Sequence, residues 1–136
     1  MKPYYEENRI TIYHGDCRDI LPTLTNVNLT LTDPPYGMHK APWDMSIVPW
    51  ESWLPIARSI APVALFSGVK AMYDYPRPDW VMAWVRLGSV QRNGKLRGFN
   101  NWEPILLYGL RSLSNDVIAV PNFPDIEGYI IPQPWE

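Results

Sequence analysis

One cysteine, Cys17, stands in the whole chain, so no disulfide can close within it and no cysteine metal cluster is available. A reducing cytoplasm is the expected compartment. The two histidines, His14 and His39, lack metal-ligand spacing, and His14 beside a strand end reads as a local hydrogen-bonding residue. No Gly-x-Gly occurs among the eight glycines, which removes a common glycine loop for close backbone approach to a bound cofactor. No stretch approaches the roughly 18 apolar residues of a membrane span, and Met1 to Glu7 lacks the apolar core of an export signal. A formal charge of −2 gives no global attraction to a polyanion, so nucleic-acid binding would need a local basic patch. There is no internal repeat.

What is present is an apolar, loop-rich chain. At 136 residues with 46% hydrophobic and 19% charged residues it lies outside the disordered class and fits one domain, residues 1–136. Fifteen prolines call for many loops. The apolar runs predict strands near 9–13, 28–32, 62–67, 80–86 and 103–109, and helices near 17–24 and 49–60, an alternation that implies an α/β sheet. In the second helix Pro49 suits a first turn and Pro55 should kink or shorten it. Trp50, Trp53, Leu54, Ala57 and Ile60 recur at helical spacing and are assigned to the core. Along residues 80–85, Trp84 should face away from Val81 and Val85. From Leu110 the pattern weakens into a loop-rich tail over 110–136, with a short strand at Val117 to Val120.

The most informative stretch is Leu29-Thr30-Leu31-Thr32-Asp33-Pro34-Pro35-Tyr36-Gly37, where a β-prone run delivers a carboxylate, two prolines and an aromatic ring into a turn. The prolines forbid the strand's continuation in a sheet interior, so the polar group sits at a strand's C-terminal end, where open α/β sheets bind ligands. An exocyclic amine on adenine or cytosine is a poor nucleophile because its lone pair is delocalised into the ring. Two acceptors facing its hydrogens, the Asp33 carboxylate and the rigid Pro34 carbonyl, would draw that lone pair toward a methyl donor. Tyr36 would supply a stacking face for the extruded base, worth about 1 to 3 kcal/mol. Taken alone, these residues are also compatible with an ordinary turn after a strand.

The context extends the motif. Ile10 to Cys17 followed by Ile20-Leu21, then Asp33-Pro34-Pro35-Tyr36-Gly37, Trp43-Asp44, Ala64-Leu65-Phe66-Ser67-Gly68 and Trp102 to Gly109 together resemble the amino-methylating DNA methyltransferases whose catalytic half comes first, in the family's order over residues 8–109. The resemblance implies the catalytic half of a partial Rossmann-like methyltransferase sheet with flanking helices. It also implies transfer of a methyl group from S-adenosylmethionine to the exocyclic amine of adenine in DNA, with Asp33, Pro34, Pro35 and Tyr36 as the catalytic residues. Asp at the first motif position favours adenine, and the cytosine amine stands as the alternative. Asp16 and Cys17, in the Gly-Asp-Cys turn, and Asp33 inherit cofactor contacts by the same resemblance, while Asp16 also reads as a helix N-cap.

The family's second half, with a His-Pro-x-x-Lys-Pro helix entry and an Asp-Pro-Phe-x-Gly-Ser-Gly cofactor loop, has no counterpart in this sequence. A second polypeptide or a homo-oligomer is therefore expected to complete the cofactor site, and a non-catalytic nucleic-acid-binding or partner-binding remnant is the competing reading. Methylation of protein or RNA amino groups by the same pocket ranks lower. For double-stranded DNA the candidate contact is the run from Arg86 to Asn101, which carries Arg86, Arg92, Lys95 and Arg97 with no acidic residue. A solvated connection between strands is the bland reading of that run.

Overall fold

The computed structural model describes residues 2–37, 39, 41–87, 91–92 and 99–121. Its centre is a five-stranded mixed sheet built from β3 (Thr30–Thr32), β4 (Val63–Phe66), β5 (Trp80–Leu87), β8 (Trp102–Tyr108) and β9 (Val117–Pro121), in the order β3-β4-β8-β5-β9. The α/β class expected from the sequence is present, with few helices. β3 pairs parallel to β4 and β5 parallel to β9, whereas β8 runs antiparallel to both β4 and β5. Four strands therefore point one way. The C-terminal ends of β3, β4 and β5 share one edge of the sheet with the N-terminal end of β8.

The central strand β8 contains Pro104, a residue ordinarily kept out of sheet interiors. Its position explains the tolerance. Ile105, opposite Phe66, is the last β8 residue paired with β4, so β8 overruns its neighbour at Pro104 and no rung is lost on that side. From Ile105 to Tyr108, where β8 is flanked on both sides, its residues are buried, whereas Trp102 and Glu103 before the proline are half-buried.

One sheet face, carrying Val63, Leu65, Leu106, Tyr108 and Val81, packs against Trp53, Leu54 and Ala57. The latter two lie on α2 (Leu54–Ile60). The other face gathers Ala64, Ile105 and Leu107 with Phe66, Met82, Trp84 and Leu110. Trp84 and Val81 thus lie on opposite faces, as strand alternation requires. Ile60 and Trp50 are only half-buried.

Three expectations change. The single helix over 49–60 is a 3-10 turn (Trp50–Ser52) followed by α2, broken at Trp53, because Pro55 has no N–H to continue an i to i−4 ladder and instead opens the second helix. The helix over 17–24 is α1 (Cys17–Ile20) tightening into a 3-10 turn (Leu21–Thr23) at Pro22, for the same reason. The strand expected at 9–13 exists as β2 (Ile10–Ile12), but it pairs with β1 (Tyr5–Glu7) in a separate, exposed hairpin and not with the main sheet. Asn8 and Arg9, at φ 51° and 68°, make the positive-φ turn that matches the twist of a hairpin. The short strand expected at 117–120 is β9, and Arg111 to Asp116 hold no regular structure. The rest of the tail, 122–136, lies outside the described residues. Among the described residues no helix is long and apolar enough to cross a membrane.

Candidate functional site

Asp33 leaves β3 at the C-terminal edge of the sheet, one residue past the Thr32–Leu65 pair, and Ser67 follows the end of β4 at the same edge. Ser67 is fully buried, and Gly68 after it turns at φ 67° with open space where a Cβ would stand, opening α3 (Gly68–Ala71). A side chain at Gly68 would be strained for its backbone and not for lack of room.

Tyr36 is half-buried, and its hydroxyl donates to Oδ1 of Asp33. Burial first, then this bond, then the negative charges of Asp33 and Glu103 push the Tyr36 phenol far above its ordinary pKa. Tyr75 is raised in the same way, by burial and then by the charges of Asp74 and Asp33. Asp33, Tyr36, Tyr75 and Glu103 therefore share one electrostatic neighbourhood, which favours uncharged phenols facing carboxylates. Neither Tyr75 nor Glu103 carries a role in the sequence reading. Glu103 did leave a signal, as an acid inside an otherwise apolar strand.

The loop after Tyr36 is latched. Asp44, 4% exposed, accepts the Gly37 N–H on Oδ1 at 2.8 Å. Its backbone N–H donates to the Ala41 carbonyl at 2.9 Å, and its carbonyl accepts from His39 N–H at 3.0 Å. Gly37 sits at φ 65°, and an added Cβ would lie 3.0 Å from Cγ1 of Ile47. Only glycine suits that position.

Asp16 caps α1, accepting from the Arg18 backbone N–H at 2.9 Å, and its carboxylate is gripped by the Arg18 guanidinium at 2.5 Å. That pairing lowers the Asp16 pKa to about 2. The cap is thus a structural role already in use, and Cys17 beside it is an exposed free thiol. For S-adenosylmethionine this arrangement does not compose a site. The carboxylate that would meet the adenosine is committed to Arg18, and no Gly-x-Gly in the sequence offers backbone donors to the other end.

Arg86 parts from the basic run in which the sequence places it. Its Nη2 donates to Oε1 of Glu103 at 2.6 Å, and the guanidinium lies 5.3 Å from the Trp84 ring centroid. Glu103 pairs with Trp84 across the β5–β8 ladder, so the acid absent from the run comes from the neighbouring strand. Trp84 in turn meets Phe66 edge-on at 5.6 Å. Arg92 has a backbone place in β6 (Gln91–Arg92), which pairs with β7 (Phe99–Asn100) in the connection between β5 and β8. That connection leaves and rejoins the main sheet at the Asp33 edge. Lys95 and Arg97 lie outside the described residues.

A hollow of 430 Å³ lined by Asp79, Trp80, Leu107 and the 110–116 loop lies at the opposite end of the sheet from Asp33. A second of 420 Å³ lies between α2 and Pro76. Neither includes Asp33 or Tyr36. Among the described residues no group of three or more His, Cys, Asp or Glu could hold a metal ion. No protein-family model matches the chain, and no curated protein is significantly similar to it.

Proposed function

We propose that this chain is the base-holding, catalytic half of a DNA amino-methyltransferase, built on a partial Rossmann-like sheet and acting on the exocyclic amine of adenine. The observation that carries the reading is Asp33-Pro34-Pro35-Tyr36 leaving the C-terminal end of a parallel strand, with a half-buried Tyr36 ring beside the carboxylate. A carboxylate and a proline-fixed carbonyl at that edge are the acceptors an amino group needs. The aromatic face beside them suits a base removed from its stack.

The chain's own residues hold and orient the amine. When the extruded base enters, its N–H takes over the Asp33 oxygen that now accepts from Tyr36, and the freed phenol ring turns its face to the base. S-adenosylmethionine is the methyl donor of this reaction class, and a second polypeptide or a second copy of the chain is proposed to complete its site. Double-stranded DNA is the proposed substrate. Arg92, Lys95 and Arg97 are its proposed phosphate contacts, while the Arg86 guanidinium is paired with Glu103.

The competing reading is a binding remnant without catalysis, favoured by the engagement of Asp16 with Arg18. Fluorescence anisotropy with labelled oligo(dA), oligo(dC) and oligo(dT) tests the amine pocket directly. The expected order is oligo(dA) above oligo(dC) above oligo(dT), with the preference erased by Asp33→Ala. Equal binding of all three would sink the reading, and an oligo(dC) preference would move it to cytosine.

A further inference from the structure

We propose that Asp44 is a positioning residue, which sets the orientation of the Tyr36 ring by latching the loop that follows it. The inference rests on the proposed base-holding role of Tyr36 for its functional meaning, and on geometry alone for its physical content. Asp44 is one of two buried polar or charged side chains among the described residues, and one of its carboxylate oxygens is spent on a backbone N–H directly after Tyr36.

A buried carboxylate is costly unless its oxygens are satisfied, and a charge-assisted bond to a backbone N–H is stronger than a neutral one. The bond to Gly37 therefore fixes that peptide plane. The Tyr36 carbonyl belongs to the same plane, so the plane fixes Tyr36 ψ. Two more bonds, from Asp44 N–H to Ala41 and from His39 N–H to Asp44, fold the intervening loop onto itself so that the carboxylate cannot drift from Gly37. From the other side, Ile47 fills the space where a Gly37 Cβ would stand, with its Cγ1 at 3.0 Å and its backbone N at 3.3 Å. The prolines fix the chain before Tyr36 and the latch fixes it after. Without the latch the ring keeps one rigid flank and loses the other.

The test uses the full chain labelled with 3-fluorotyrosine, the Tyr36 fluorine resonance being assigned by its loss in Tyr36→Phe. Asp44→Ala is expected to shift that resonance and to lower the pH at which it titrates, as the phenol leaves its half-buried place beside Asp33. Asp44→Asn, which keeps the acceptor oxygen, should restore both. Should Asp44→Ala fail to fold, Gly37→Ala disturbs the same junction from the Ile47 side and should displace the same resonance. A folded Asp44→Ala, or in its absence a folded Gly37→Ala, whose Tyr36 resonance and titration match the wild type overturns the proposal, even if the melting temperature falls. This readout needs neither DNA nor S-adenosylmethionine. If the base-holding reading fails in the oligonucleotide assay while the fluorine shifts appear, the latch stands and only its purpose is lost.

Discussion

The hydroxyl of Tyr36 donates to Oδ1 of Asp33, so the two ends of the Asp-Pro-Pro-Tyr turn are tied to each other across the rigid prolines. The sequence reading gives these residues separate tasks, acceptor and stacking face. In the structure they satisfy one another. In the proposed role an entering base amine would exchange one donor for another at this exposed carboxylate, so Asp33 keeps a hydrogen-bond partner throughout.

That exchange separates two substitutions at Tyr36. Tyr36→Phe keeps the ring and frees Asp33, so oligo(dA) affinity should stay within about threefold of wild type or improve. Tyr36→Ala removes the stacking face and should cost about 1 to 3 kcal/mol, roughly 5- to 150-fold in affinity. Anisotropy titrations of the two variants decide the matter, and wild-type affinity in Tyr36→Ala removes the base-stacking role.

Arg86 and the residues of the adjoining basic connection should answer to different assays. Arg86→Ala leaves Glu103 unpaired at about one-fifth exposure, between a surface pair and a buried one, so a stability loss of about 1 to 3 kcal/mol is expected in urea unfolding. Its salt dependence of DNA binding should not change. The double substitution of Arg92 and Lys95 to Glu should instead flatten the slope of log K against log salt by about 2, with little change in melting. A reversed pattern would return Arg86 to the DNA contacts and remove the other two.

These two cases show what was legible in the sequence. Apolar runs placed β3, β4, β5 and β8 within a residue or two of their observed bounds. In β4 and β8 burial writes itself into composition, whereas β3, which reads as a buried strand, has no buried residue and leaves Leu31 65% exposed at the sheet's outer strand. Pairing is not written in composition. Ile10 to Ile12 reads as a strand whichever sheet takes it, and the turn that diverts it into a hairpin is made by Asn8 and Arg9 without a glycine to announce it. Arg86 reads as basic until its cross-strand neighbour is known. Asp44 is a carboxylate like any other along the chain. Its burial and its bond to Gly37 arise from loop closure, which no periodicity reports.

Asp16 should give an acid-side signature. Its pKa falls from the ordinary 3.8 to about 2 because Arg18 donates to it, so the folded state holds the carboxylate ionised where the unfolded chain has begun to protonate. The stabilisation is complete above pH 4 and is lost as pH falls toward 2. Asp16→Asn keeps the cap acceptor and loses the charge. Its melting temperature should lie below wild type at pH 6, with the gap closing between pH 4 and pH 2. A gap that stays constant across that window would mean Arg18 contributes nothing through Asp16.

Tyr108 should govern the alkaline limb. It is almost fully buried on the α2 face of the sheet, donates its hydroxyl to the Pro76 carbonyl at 2.8 Å, and lies beneath the Arg58 guanidinium at 5.1 Å. Burial pushes its phenol up to about 12, against an opposing pull from Arg58. Because the folded state holds the proton more tightly than the unfolded chain, the stabilisation is intact below pH 10 and is lost as pH rises toward 12. Tyr108→Phe keeps the packing but strands the Pro76 carbonyl, at a cost of about 0.5 to 1.5 kcal/mol at neutral pH. The same variant should lose less stability than wild type between pH 10 and 12, since one buried phenol no longer has to ionise. Tyr36 is raised as well, so the double variant Tyr36→Phe, Tyr108→Phe should flatten the alkaline limb further. Urea unfolding at several pH values gives the slopes directly, and equal alkaline slopes in wild type and both variants would show that neither phenol is linked to folding.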